Sequence, residues 1–135
     1  MKLLTKHTDY AVRALLVLAK KRGEFISARE IAEAQNMPYQ FVRRILQQLI
    51  RHKLVVSKEG TGGGFRLNTS PEKISTVDII RIFQGKVQLS ECMFRKRLCR
   101  RRRNCALRKQ IKRIERIVSK EFENITIGRL AESTS

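Results

Sequence analysis

Between residues 8 and 20 the apolar positions Ala11, Ala14, Leu15 and Leu18 fall at steps of three and four, with Val12 and Leu16 widening the stripe. That period is helical, so a first helix packed on a core is expected from Thr8 to about Lys20, broken by Gly23. Ser27 and Glu30 have capping-box spacing and open a short helix through Ile31, Ala32 and Ala34. After the polar turn Gln35-Asn36, Pro38 suits the first turn of a third helix that runs to about His52. Its apolar side holds Phe41, Ile45 and Leu49, with Val42, Leu46 and Ile50 beside them.

Two helices joined by so tight a turn fit a helix-turn-helix, whose second helix enters a DNA major groove. The polar side of that helix reads Gln40, Arg43, Arg44, Gln47, Arg51. Amide and guanidinium side chains of this kind read base edges and grip phosphates, although a solvated helix face has the same composition. The next segment decides between them. Leu54-Val55-Val56 and Phe65-Arg66-Leu67 are expected strands on either side of the glycine-rich turn EGTGGG. No Lys-Ser or Lys-Thr pair and no helix follows those glycines, so a phosphate-cradling nucleotide loop is rejected and a wing is preferred.

Ser75 caps a fourth helix through Ile79, Ile80, Ile82 and Phe83, which stops at Gly85. From Ala106 the residues Leu107, Ile111, Ile114, Ile117 or Val118, and Phe122 recur at steps of three and four. This is a long helix with a narrow apolar seam, the pattern of a helix that meets a second chain. A dimer would set two recognition helices on a two-fold, pseudo-palindromic operator. The expected fold is therefore mainly α, a winged helix-turn-helix with a small β-hairpin wing and a long C-terminal dimerisation helix. Residues 1–86 form the DNA-binding domain, 87–105 a cysteine-rich loop, and 106–135 the dimerisation helix and a tail.

Charge adds a second feature. The chain of 135 residues carries a net charge of +18, which points to a polyanionic partner. Residues 95 to 116 hold twelve basic residues against the single acid Glu115. All three cysteines, Cys92, Cys99 and Cys105, lie at or beside that run, in "CMFRKRLCRRRRNC". No apolar run approaches the roughly 18 residues of a membrane span, and the start lacks the apolar core of a signal peptide, so a cytoplasmic location is expected. In a reducing compartment, three clustered cysteines indicate metal binding or thiol redox chemistry rather than a disulfide scaffold. Zinc is disfavoured, since there is no CxxC pair and His7 and His52 are far away in sequence. An enzyme is not expected either: no nucleophile with a neighbouring base and no paired carboxylates can be assembled.

Taken together, "TDYAVRALLVLA", "ISAREIAEAQNMPYQFVRRILQQL", "GTGGGFRL", "ISTVDIIRIFQG", the cysteine triplet and the long helix resemble the IscR/NsrR type of bacterial winged-helix regulators. The resemblance covers nearly the whole chain. It implies a dimeric transcription factor, a repressor or activator, with DNA contacts drawn from Ser27, Arg29, Tyr39, Gln40, Arg43, Arg44, Gln47, Arg51, Lys58, Gly62, Gly63 and Arg66. It also implies an iron-sulfur cluster on Cys92, Cys99 and Cys105, whose anionic charge the neighbouring guanidinium groups would offset. Such a cluster would sense nitric oxide, redox state or iron supply.

Departures from the pattern shape what is carried over. Arg108 stands where IscR-like members place the histidine that completes a 2Fe-2S site. Asp9 matches the aspartate that NsrR-like members supply from the partner subunit to complete a 4Fe-4S cluster, so the resemblance implies Asp9 as fourth ligand and 4Fe-4S ahead of 2Fe-2S. An aspartate in a first helical turn also simply favours the helix dipole, and His7 is a weaker alternative ligand. Six residues separate Cys92 from Cys99, one more than is common. Glu59 stands where IscR-like members carry a minor-groove arginine, which leaves Lys58 and Arg66 as the wing's cations. Two other functions stay open: a metal-free thiol switch, and a constitutive, charge-driven nucleic-acid-binding protein.

Overall fold

The computed structural model describes residues 3–89 and 105–133. Thr5 starts helix α1 (Lys6–Lys20), its hydroxyl accepting from the Thr8 amide at 3.3 Å. The side-chain amide of Gln84 clamps the preceding strand of chain, accepting from the Thr5 amide at 2.9 Å and donating to the Leu3 carbonyl at 3.1 Å. The start of α1 is thereby tied to the end of the fourth helix. Ala11, Ala14, Leu15 and Leu18 are buried, as the period of α1 requires.

Helix α2 (Ala28–Gln35) is capped by Ser27, which accepts from the Glu30 amide at 3.1 Å. The capping box expected there is only half formed. The Glu30 carboxylate lies 3.5 Å from the Ser27 hydroxyl instead of taking the Ser27 amide. Asn36 ends α2 in the left-handed conformation at φ 50°, which asparagine tolerates better than most residues. Pro38 is the N-cap of α3 (Tyr39–Arg51) rather than a residue of its first turn. One face of α3 buries Val42, Ile45, Leu46 and Leu49 against α1 and α2.

Strands β1 (Val55–Lys58) and β2 (Gly64–Leu67) pair antiparallel, Val56 opposite Arg66 and Lys58 opposite Gly64. Ile26 adds a bridge on the other edge of β2, exchanging backbone hydrogen bonds with Phe65 at 2.9 and 2.8 Å. Only glycine fits at position 64, where a Cβ would stand 2.6 Å from the Ile26 backbone.

A single 3-10 turn, Pro71–Lys73, leads into α4 (Thr76–Phe83). Here the capping box is complete: Ser75 accepts from the Asp78 amide at 3.3 Å and the Asp78 carboxylate accepts from the Ser75 amide at 3.2 Å. The long helix α5 (Ala106–Asn124) buries none of its residues. The segment expected as a tail is instead helix α6 (Ile127–Ser133), packed against α1 and the 3-10 turn. Ile127 is fully buried in the same core as α1 and α3, and complete removal of such a side chain from water contributes about 1.5–3 kcal/mol. The C-terminal end thus returns to the N-terminal domain.

Candidate nucleic-acid interface

Burying one face of α3 forces its other face outward. Gln40, Arg43, Arg44, Gln47 and Arg51 are all exposed. Tyr39, the first residue of the helix, is half-buried and carries two guanidinium groups over its ring, Arg29 from α2 at 4.9 Å and Arg43 at 5.8 Å from the centroid. Both distances lie within the range of a cation–π interaction. Arg29 and Arg43 are therefore held together at the junction of the two helices, while Ser27 serves α2 as its cap.

The wing follows α3 in the chain, and β1 packs on that helix. Lys58 and Arg66 are exposed, and Gly62 and Gly63 form the turn between their strands. A Cβ at position 63 would meet the Lys58 carbonyl at 2.3 Å, so Gly63 acts through the shape of the turn. One residue of this region escapes a reading of the sequence. Phe25 stands under both wing cations, with Arg66 at 4.6 Å and Lys58 at 5.5 Å from its ring. Its only signal is a bulky aromatic placed just after Gly23 and outside any apolar period.

The residues expected to hold a cluster are only partly in view. Cys92 and Cys99, with the arginines from Arg95 to Arg103, lie outside the described residues. Cys105 is a free, half-buried thiol at the N-cap of α5. Asp9 sits in the first turn of α1 and accepts from Arg13 at 3.0 Å, both side chains being about half exposed (45% and 48%). A pair this exposed is worth little in stability. His7 packs against Phe41 with ring centroids 5.6 Å apart. Among the described residues no group of three or more His, Cys, Asp or Glu side chains gathers as a metal site.

A second basic region lies between α4 and α5, a cleft of about 620 Å³ lined by Arg81, Lys86, Lys112, Arg116 and Lys120 together with Glu115 and Glu123. Along α5 the seam residues Leu107, Ile114 and Ile117 are 69%, 41% and 50% exposed while Ile111, Val118 and Phe122 are half-buried, so part of the stripe found in the sequence has no cover within the described residues. Among the described residues no helix is long and apolar enough to cross a membrane.

A winged helix-turn-helix with a polar, cationic outer face and a long helix carrying a partly exposed apolar seam defines a class of regulator. Residues 4–133 match the family model described as "Rrf2: Iron-dependent Transcriptional regulator", and the chain belongs to that family. It is 33% identical over 98 residues to the HTH-type transcriptional regulator NsrR of Bacillus subtilis, covering 71% of this chain and 67% of that one. The structure of CymR, the global cysteine regulator of B. subtilis, is similar with a TM-score of 0.82 and 26% identity over the whole of both chains. Staphylococcus aureus CymR in its oxidized form gives 0.76 and 29%, covering 98% of this chain and 97% of that one. The chain spans about three fifths to two thirds of the length of the curated relatives it matches. NsrR and CymR are regulators by their descriptions.

Proposed function

We propose that the protein is a homodimeric, cytoplasmic DNA-binding transcriptional regulator whose operator affinity is set by an iron-sulfur cluster. The observation that carries the DNA-binding part is the face of α3, where five hydrogen-bonding or cationic side chains are exposed while the opposite face is sealed in the core. Gln40, Arg43, Arg44 and Gln47 are the base readers, and Arg29, Arg51, Lys58 and Arg66 grip the backbone. The open seam of α5 supports a dimer, because exposed isoleucines at helical spacing lose contact with water when a second copy packs on them.

Cys92, Cys99 and Cys105 would hold the cluster, with Asp9 of the second subunit as fourth ligand, and three thiols amid cations are a suitable donor set for an anionic group. When bound, the cluster supplies a centre that reacts with nitric oxide or oxidants. The chain's own residues carry the response. Cys105 begins α5, so fixing it fixes one end of that helix. The other end is tied to α4 by the Thr76 hydroxyl, which donates to the Phe122 carbonyl at 2.6 Å. α4 in turn packs on α1, which supports the recognition helix. Release of Cys105 would reach the two recognition helices along this path, and it counts as control only where the two states differ in DNA affinity.

The test is anaerobic purification with iron and acid-labile sulfide analysis of wild type and Asp9→Ala, followed by salt titrations of apo and holo dimers on an operator selected from random DNA. About four iron atoms and four sulfides per subunit, lost in the variant, are expected for a 4Fe-4S site. Equal binding of apo and holo forms at every salt concentration would remove the sensing mechanism. A metal-free thiol switch is the second reading, favoured by the likeness to CymR solved in an oxidized form. It requires a reversible disulfide, visible by mass spectrometry in protein without iron.

A further inference from the structure

Resting on the wing being a DNA contact, we infer that Phe25 is a positioning residue that holds Lys58 and Arg66 ready for the DNA backbone. The strand register is the starting point. Side chains alternate across a strand, so Lys58 and Val56 share one face of β1, and their partners Gly64 and Arg66 share the same face of β2. Lys58 and Arg66 are therefore diagonal neighbours on one face of the hairpin, and the residue opposite Lys58 has no side chain. The Ile26 backbone closes on that bare position, 2.6 Å from where a Cβ would stand, so no side chain separates two cations that would otherwise repel each other.

Phe25 lies under both. The Ile26–Phe65 bridge runs antiparallel, which sets Phe25 across from Arg66 on the free edge of β2. Its ring lies 4.6 Å from the Arg66 guanidinium carbon and 5.5 Å from the Lys58 ammonium. The aromatic face attracts both charges and confines two long, rotamer-rich side chains to one side of the wing. Ordering them before DNA arrives removes part of the entropic cost of binding.

The charge at the tip makes this arrangement consequential. Glu59 follows Lys58 directly and is exposed, placing an anion where the turn begins. An unrestrained Lys58 would pair with that carboxylate part of the time and be withdrawn from phosphate. Held over Phe25, it points its charge elsewhere.

The experiment is fluorescence anisotropy of the full-length protein on a duplex selected by the wild type from random DNA, titrated in salt. Phe25→Leu is expected to weaken binding by about threefold to tenfold with an unchanged salt slope, because both cations still reach phosphate. Phe25→Tyr keeps the ring and should bind as wild type. Lys58→Ala and Arg66→Ala should each lower the salt slope by about one. The deciding comparison places Phe25→Leu in the Lys58→Ala, Arg66→Ala background, where its effect should vanish. An equal loss in both backgrounds would show that Phe25 only supports the fold, and overturn the inference. Wild-type binding by Phe25→Leu alone would also overturn it while leaving the wing contacts intact. Wild-type affinity and slope in Lys58→Ala and Arg66→Ala would remove the wing contact itself, and the inference with it.

Discussion

Thr76 and Phe122 join the first turn of α4 to the last turn of α5, the threonine hydroxyl donating to the phenylalanine carbonyl at 2.6 Å across 46 positions of chain. The Thr76 amide donates to Ile125 at 2.8 Å and the Ile127 amide to Ile74 at 2.9 Å, so a short backbone ladder flanks that side-chain bond. This is where α5 is fastened to α4. Thr76→Val keeps the shape of a side chain that is 6% exposed and removes only its donor. The Phe122 carbonyl retains the Ile125 amide at 3.3 Å, so the loss should stay near about 1 kcal/mol. Urea unfolding would record it as a lower midpoint at unchanged slope.

Specificity should divide along α3. Arg43 stacks over Tyr39 near the start of the helix and is the proposed reader of base edges, whereas Arg51 ends the helix. Replacing Arg43 by alanine is expected to cost about 1–3 kcal/mol on the selected operator and much less on unrelated DNA. Arg51→Ala should weaken all sequences alike. Competition assays with selected and scrambled duplexes distinguish the two, and equal losses for both variants on both duplexes would refute the division.

The seam of α5 should govern assembly without governing the fold of the single chain. Ile114 and Ile117 are too exposed to hold the domain core together. Ile117→Asp, alone or with Ile114→Asp, is expected to leave the helical circular dichroism in place and to convert the dimer to monomer in sedimentation experiments. A charge buried in such an interface has no partner to offset its desolvation. Binding to a two-fold operator would fall with it.

Stability toward acid has a defined contributor. The Ser70 hydroxyl donates to Glu72, and with the backbone and the Arg22 guanidinium it holds this carboxyl down at about 2, against an ordinary 4.5. A folded value below the unfolded one stabilises the protein above the unfolded value and ceases to do so as pH falls through the folded one. Glu72→Gln should therefore be slightly less stable than wild type at neutral pH. The difference should close between about pH 4.5 and pH 2, as thermal melts across that range would show. The effect is small because both partners are exposed to solvent.

Several elements are legible in the sequence because their causes are local. The stripe of Ala11, Leu15 and Leu18, the Ser27 and Ser75 hydroxyls and the glycines of the wing turn act within a few residues of themselves, and the helices and hairpin form where these signals stand. The outward face of α3 is legible for the same reason: once one side of an amphipathic helix is buried, geometry exposes the other. Spacing also leaves one local detail open, since Ser75 completes its capping box with the Asp78 carboxylate on its amide, whereas Glu30 lies against the Ser27 hydroxyl. Tertiary structure decides what depends on distant partners. Ile127 reads as part of a tail because one isoleucine carries no period, and only the return of α6 to α1 buries it. Phe25 gains its role in the same way, since the Ile26–Phe65 bridge and the bare face of Gly64 bring an isolated aromatic under two cations from the wing.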